Sequence, residues 1–420
     1  MTGHPSTNQV ASSGRGMWLG HNQEDVFVRF PRAESRLHIS AKRIAAKMLM
    51  TPSGVLAEPI MTIEGEHILE ISTRRAQQIV HIDYDFSDWT ITPAFFDIHF
   101  HGIAGQDVMN ASPEGFQAIA HSLARAGVSR FLPTTVTASL DATMFALERM
   151  ADYIDADSMA GASQAAGIHI EGPFLSHAKR GMHSAEHLLL PSPELLDRLW
   201  GAARGNIRLM TIAPELPGAL ETIKHATALG IRSSMGHSMA TRAEAIAGIK
   251  SGIVSATHTF NAMRAFDHRE PGILGVVLDQ EDLYADLICD GYHVAPEAVR
   301  LWLKAKGPER AILITDCLSA AGMPNGRYMT GETVVHVEED VCRTDTGVLA
   351  GSVITLDRAV SNFSKTARAE LHTAVRLASI NPARMLGLPE SLVPGALADF
   401  NVYDANGIRR ECFIRGSLIE

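Results

Sequence analysis

Along the 420 residues the spacing of apolar positions changes twice. From about Arg36 to Asp88, short apolar runs at Leu37–Ile39, Met61–Ile63, Ile68–Ile71 and Ile79–Ile82 alternate with polar turns, which is the rhythm of strands joined by tight connections. After a turn at Pro394-Gly395, Asp399–Tyr403 and Cys412–Ile414 read the same way. Two strand-rich flanks predict one small β-sandwich domain assembled from residues 35–90 and 391–420. Residues 1–34 open with a polar, Ser/Gly-rich stretch and are expected to form a flexible tail.

Between the flanks the rhythm becomes strand, helix, strand, helix. Strand-like runs fall at Ile91–Ile98, Arg130–Thr135, Gly167–Ile170, Ile207–Ile212, Ile231–Met235, Ile253–Thr257, Leu283–Ile288 and Ala311–Ile314. Helical periodicity fills most gaps, at Pro113–Ala126, Asp141–Ile154, Pro193–Ala203, Ala219–Leu229, Arg242–Lys250 and Pro296–Lys306. Eight strands alternating with helices predict an α/β fold, a (β/α)₈ TIM-type barrel over residues 91–390, with a hairpin inserted at Thr330–Cys342. The rival is an open, doubly wound sheet. Its usual Gly-x-Gly-x-x-Gly after the first strand is missing here.

Composition narrows the function. Apolar residues at 46% and charged residues at 20% are ordinary for a soluble globular chain. A formal net charge of −10 argues against a nucleic-acid partner, so an anionic small substrate would depend on a few local cations. The four cysteines form no Cys-x-x-Cys pair, a pattern that fits reduced thiols in the cytoplasm. No apolar run approaches the ~20 residues of a membrane span, and no signal-peptide core opens the chain. The expectation is a cytoplasmic protein with no membrane partner.

A barrel presents its chemistry where strands end. The first run ends in His99-Phe100-His101-Gly102, and alternation along a strand puts both imidazoles on one face. With 19 histidines in the chain, such a pair also arises readily from composition alone. Later strand ends supply Glu171, His237, His258, the Asp290–His293 stretch and Asp316. Singly, each has a plain structural explanation: a histidine in a hydrogen bond, or an aspartate capping a turn. Together they point to a metal-dependent hydrolase. Glu171, His237 and His258 offer three N/O ligands and leave a position for water, whose pKa a cation lowers toward ~7. Asp316 could take that water's proton and pass it to a leaving amine. His99 and His101 would complete the site or bridge to a second ion. The fourth strand is followed by Ala213-Pro214-Glu215 and not by the lysine that bridges two metals in many barrels of this kind, which leaves Glu171 as its candidate replacement.

Several blocks resemble the N-acetylglucosamine-6-phosphate deacetylase family of the amidohydrolase superfamily. They include Pro93–Gly102, His169-Ile170-Glu171-Gly172-Pro173-Phe174, Lys179-Arg180-Gly181-Met182-His183, Gly236-His237-Ser238 and Thr257-His258-Thr259-Phe260-Asn261-Ala262-Met263. They continue with His268–Gly272, Asp290–Val294, Thr315-Asp316 and Leu349–Ser352, so the likeness runs from about residue 35 to the end. The resemblance implies hydrolysis of the N-acetyl group of a 6-phosphorylated amino sugar, with one or two divalent ions, zinc or iron, per subunit. It implies Glu171, His237 and His258 as ligands of the main metal, with His99 and His101 beside them. Asp316 and His183 become the catalytic pair, the latter polarising the acetyl carbonyl or holding the sugar. Met182, His183, Asn261, Ala262, Leu349, Ala350 and Gly351 become substrate contacts. Arg269 and His293 become the phosphate and sugar grips, one or both reaching across a homodimer interface. The planar fork of Arg suits phosphate. Some members replace the first-strand histidines with amides and use one metal; here both histidines stand. Cys317, beside Asp316, reads as a small buried hydrophobe. Competing readings are another metal-dependent amidohydrolase, a deacetylase of a related sugar such as N-acetylgalactosamine 6-phosphate, and a barrel that has lost its chemistry.

Overall fold

The computed structural model describes residues 41–74, 81–156 and 161–420. The strands expected at Leu37–Ile39 and at residues 79–80 lie outside that range, as does the expected tail, and His81-Ile82 form no strand. Strands from both flanks meet in one eight-stranded sheet. Its spine runs Ser417–Leu418, Arg409–Ile414, Phe400–Tyr403, Tyr84–Pro93, Lys42–Thr51, Pro59–Glu64, His67–Thr73, and Gly54–Ala57 pairs with Lys42–Thr51. The two flanks join where Phe400–Tyr403 pairs antiparallel with Tyr84–Pro93. Ile44, Leu49, Met61, Ile91, Phe400 and Phe413 form its apolar core.

The single run expected at Ile91–Ile98 is two strands, Tyr84–Pro93 and Phe95–Phe100. Pro93 carries no N–H, so the ladder of the flank sheet stops there. The chain then changes partners: the Ala94 N–H donates to Asp399, and the Phe95 N–H donates to Gly127.

Eight parallel strands follow: β1 (Phe95–Phe100), β2 (Val128–Pro133), β3 (Ile168–Glu171), β4 (Ile207–Ile212), β5 (Arg232–Met235), β6 (Ile253–Ala256), β7 (Ala285–Ile288) and β8 (Ala311–Ile314). All but β1 lie within two residues of the expected starts and ends. Most of their residues are buried, as in parallel strands covered on both faces. β1 pairs with β2, β3 with β4, β4 with β5, β5 with β6, and β7 with β8. Isolated backbone bonds fill the remaining joints. Thr135 donates to His169 between β2 and β3, and Tyr284 donates to Val254 between β6 and β7. Asp316 donates to the His99 carbonyl and His101 to the Cys317 carbonyl, which ties the end of β8 back to β1.

Helices α1 (Pro113–Arg125), α2 (Leu140–Asp155), α3 (Pro193–Ala202), α4 (Ala219–Ala228) and α5 (Arg242–Ser251) match the periodic segments. Ser112, Ser139, Ser192 and Thr241 cap four of them, each accepting a backbone N–H, an interaction worth about 1 kcal/mol. α6 (Gly272–Asp279) was not legible as a helix, because Ile-Leu-Gly-Val-Val-Leu is apolar all round and shows no period. α7 (Pro296–Arg310) runs past the expected end at Lys306, through a break at Gly307 whose φ is +65°. The buried Lys306 ammonium donates to the carbonyls of Val277 and Gln280 and so closes the end of α6. The expected hairpin is a three-stranded insertion: Gly326–Thr330, Thr333–Glu338 and Val341–Thr344.

Candidate active site

The strand ends converge on a cavity of about 340 Å³. Three residues that close strands into it have left-handed backbones: His237 at φ +47°, His258 at +33° and Asp316 at +49°. This region costs an L-residue about 1–2 kcal/mol, and His and Asp enter it more readily than most side chains. The reversal ends each strand abruptly at the cavity that these residues line.

Glu171 is the hub. Its Oε1 lies 3.2 Å from His237 Nε2 and 3.1 Å from His258 Nε2, and those two nitrogens are 3.0 Å apart. Its Oε2 lies 3.2 Å from both His99 Nε2 and His101 Nε2 and 3.4 Å from His183 Nε2. Asp316 Oδ1 closes the far side, 3.0 Å from His101 Nε2 and 3.5 Å from His99 Nε2. The five proposed ligands and both proposed catalytic side chains are therefore brought together. The donor atoms of His99, His101, Glu171 and Asp316 fall within 4.8 Å of one another, as do those of Glu171, His183 and His237.

Hydrogen bonds on the far nitrogens sort the imidazoles. His101 Nδ1 sits 3.0 Å from the Thr134 carbonyl, and His237 Nδ1 sits 2.7 Å from the Lys179 carbonyl. A carbonyl only accepts, so both rings carry a proton on Nδ1 and present Nε2 to Glu171. His183 is the opposite case. The Thr137 backbone N–H donates to its Nδ1 at 3.1 Å, which places the proton of the neutral ring on Nε2, facing the cavity.

The electrostatics agree with this sorting. Burial pushes His183 down to about 4, and Glu171 only partly offsets that, so the ring is neutral at pH 7. Burial also opposes a charge on His101, but hydrogen bonds and charge from Asp316 and Glu171 outweigh it and raise that ring to about 10. Asp316 is held well below the usual carboxylate range despite its burial, by the charge of His99 and the hydrogen bond from His101. Two carboxylates and several Nε2 atoms packed at 3.0–3.5 Å form a site that favours positive charge. The field that keeps a proton on His101 suits a divalent cation equally well, and the N/O donor set fits one.

Of the expected substrate contacts, Met182, Asn261, Ala262, His293, Leu349 and Gly351 line the cavity. Ala350 is fully buried between its two lining neighbours, and its N–H donates to Cys342. Arg269 stands exposed on the loop between β6 and α6, away from the cavity wall. His293 is held by Asp290, whose carboxylate lies 2.6 Å from Nδ1. Sequence reasoning missed Thr137, which sets the His183 tautomer, because nothing marks it in the chain. It also missed Asp97 and Asp286, buried beneath the site. Asp97 accepts the Thr315 hydroxyl at 2.6 Å, and Asp286 accepts the His258 N–H. Burial raises each to about 6.

Residues 90–416 match the amidohydrolase family, and the chain belongs to it. Among curated relatives, N-acetylgalactosamine-6-phosphate deacetylase of Escherichia coli O157:H7 is 37% identical, covering 78% of this chain and 87% of the relative. N-acetylglucosamine-6-phosphate deacetylase of Lysinibacillus sphaericus is 35% identical, covering 78% and 85%. A structure of N-acetyl-D-glucosamine-6-phosphate deacetylase from Mycobacterium smegmatis, solved with N-acetyl-D-glucosamine-6-phosphate, is 31% identical with a TM-score of 0.85, and covers 90% of this chain and 99% of that one.

Proposed function

We propose that the chain hydrolyses N-acetyl-D-glucosamine 6-phosphate to D-glucosamine 6-phosphate and acetate. The observation that carries the reading is the opposition of Asp316, anionic at neutral pH, to the neutral His183 Nε2–H across the Glu171 cluster. Glu171, His237 and His258 would hold a divalent cation, zinc or iron, with His99 and His101 available to a second. Such an ion supplies Lewis acidity, lowering the pKa of water and polarising a carbonyl.

The chain's own residues do the rest. Asp316 accepts the proton of the attacking water as its oxygen bonds to the acetyl carbon. The His183 N–H stabilises negative charge growing on the acetyl oxygen, the role of an oxyanion-hole donor. Asp316 then returns the proton to the nitrogen as the C–N bond breaks, releasing amine and acetate. Asn261, Ala262, Met182, Leu349 and Gly351 form the sugar-binding wall, and His293, fixed by Asp290, addresses the polar end of the substrate. Arg269, exposed on its loop, is assigned to the phosphate in the site of a partner subunit of a homodimer, in the cytoplasm.

The same reading takes the eight parallel strands as a closed (β/α)₈ barrel over residues 91–390, supported by the hydrogen bonds that join β8 to β1. It takes residues 35–90 with 391–420 as a small β-sandwich domain. A second substrate, N-acetylgalactosamine 6-phosphate, is favoured by the 37% identity to a deacetylase of that name.

Acetate release from both N-acetylhexosamines, with and without the 6-phosphate, before and after chelation, tests the proposal. Phosphate-dependent release that chelation abolishes is expected, and the faster of the two sugars settles the epimer. Equal turnover of the unphosphorylated sugars, or turnover that survives chelation, would overturn it.

A further inference from the structure

Glu215 stands where β4 ends, yet it does not line the cavity. Its carboxylate reaches sideways to the next strand end. Oε2 accepts the Ser238 hydroxyl at 2.7 Å and Oε1 accepts the Met239 N–H at 2.6 Å. The Ser238 oxygen in turn accepts the Ala240 N–H at 2.9 Å. The Ser238 backbone also bonds the following loop, donating to the Ala262 carbonyl at 3.0 Å and accepting from Arg264 at 2.9 Å. One carboxylate thus ties the β4, β5 and β6 strand ends together, immediately after His237.

His237 needs such a hold. Its left-handed backbone is a conformation that persists only when the surroundings over-determine it. The Lys179 carbonyl fixes the ring at Nδ1, and the Ser176 N–H fixes the His237 carbonyl at 2.9 Å. Beyond His237 the Ser238 backbone is held by Ala262 and Arg264, and the charge-assisted bonds to Glu215 add the hold on the Ser238 hydroxyl and the Met239 N–H. Bonds of that kind are about twice as strong as neutral ones.

We propose that Glu215 is a positioning residue that locks the backbone of His237 so that Nε2 meets Glu171 and His258. This rests on His237 being a metal ligand. Freed of Glu215, the Ser238–Met239 segment can relax toward negative φ at His237 and swing the ring away from its partners. Glu215 touches neither substrate nor metal and acts through the ligand alone.

The test measures Zn²⁺ affinity by chelator competition, together with the unfolding midpoint of the metal-free protein, in four variants. Glu215→Ala is expected to weaken Zn²⁺ binding about 10–100-fold, the usual effect of losing a partner that orients a ligand. The metal-free midpoint should move little. Glu215→Gln keeps an acceptor for the Met239 N–H and should recover most of the affinity. His237→Ala should weaken binding further, and adding Glu215→Ala to it should change little more, because the clamp would have no ligand left to hold. Wild-type affinity in Glu215→Ala, or an undiminished effect in the His237→Ala background, would overturn the clamp. Wild-type affinity in His237→Ala would instead overturn the ligand assignment, and the clamp with it. The two failures are therefore told apart.

Discussion

On the cavity floor, Glu171, His99 and His101 are at most 3% exposed, and Glu171 and Asp316 meet imidazole nitrogens at 3.0–3.5 Å. At the rim, Met182, Asn261, His293 and Leu349 are half-buried on loops, and Arg269 is exposed. Floor residues are fixed by strand ends that share hydrogen bonds with their neighbours. Rim residues are fixed mostly by their own loops. In the proposed reading chemistry falls to the buried floor, and choice of substrate to loops whose side chains can vary without disturbing it.

If that division holds, the largest losses follow changes to the floor. Asp316→Asn should lower kcat by about 10²–10⁴ while the bound metal, counted by elemental analysis, stays near the wild-type level. A kcat near wild type would take proton transfer away from Asp316. His183→Ala removes the neutral imidazole donor facing the Glu171 cluster and should cost about 10²–10³ in kcat, with KM changed much less. A loss confined to KM would move His183 to the rim group.

Asp97 allows a pH test of the floor in the metal-free protein. Its folded pKa, raised by burial to about 6, lies above the unbound 3.8, so the folded state keeps its proton longer than the unfolded chain does. Below about pH 4 both states are protonated and the group is neutral to stability. As pH rises from there to about 6, only the unfolded state ionises, and stability should fall by about 3 kcal/mol. Denaturant titrations of wild type and Asp97→Asn across that range should diverge by this amount, whereas parallel curves would place the ionisation elsewhere.

The smallest effect belongs to the rim. Arg269→Ala should raise KM for the phosphorylated sugar about tenfold and leave the unphosphorylated analogue alone, as loss of a hydrogen bond to a charged group would. Equal changes for both would break the comparison at its outer edge.

Much of this was legible in the chain. Strands β4 and β8 fall where their apolar runs place them, and the first five helices fall on the periodic segments. The floor ligands could be found because each is a titratable residue directly after an apolar run. What escaped is what depends on long-range partners. The break at Pro93 is local, but the reason the chain crosses to a new sheet is Gly127. The roles of His101 and His183 are opposite, yet their residue type is the same. Only Thr134 and Thr137, on a neighbouring strand end, separate them. Ala350 shows the limit of carrying a motif over whole: the backbone of its segment borders the cavity while its own methyl belongs to the core.

The bond from the Asp316 N–H to the His99 carbonyl joins residues 217 positions apart at the seam between first and last strands. The proposed base and the first two imidazoles thus face one another only once that seam has shut. A chain truncated before β8 keeps Glu171, His237 and His258 but lacks the wall that aligns proton transfer. Activity in this architecture therefore doubles as a report that synthesis and closure are finished, since no partly wound intermediate owns both halves of the reaction.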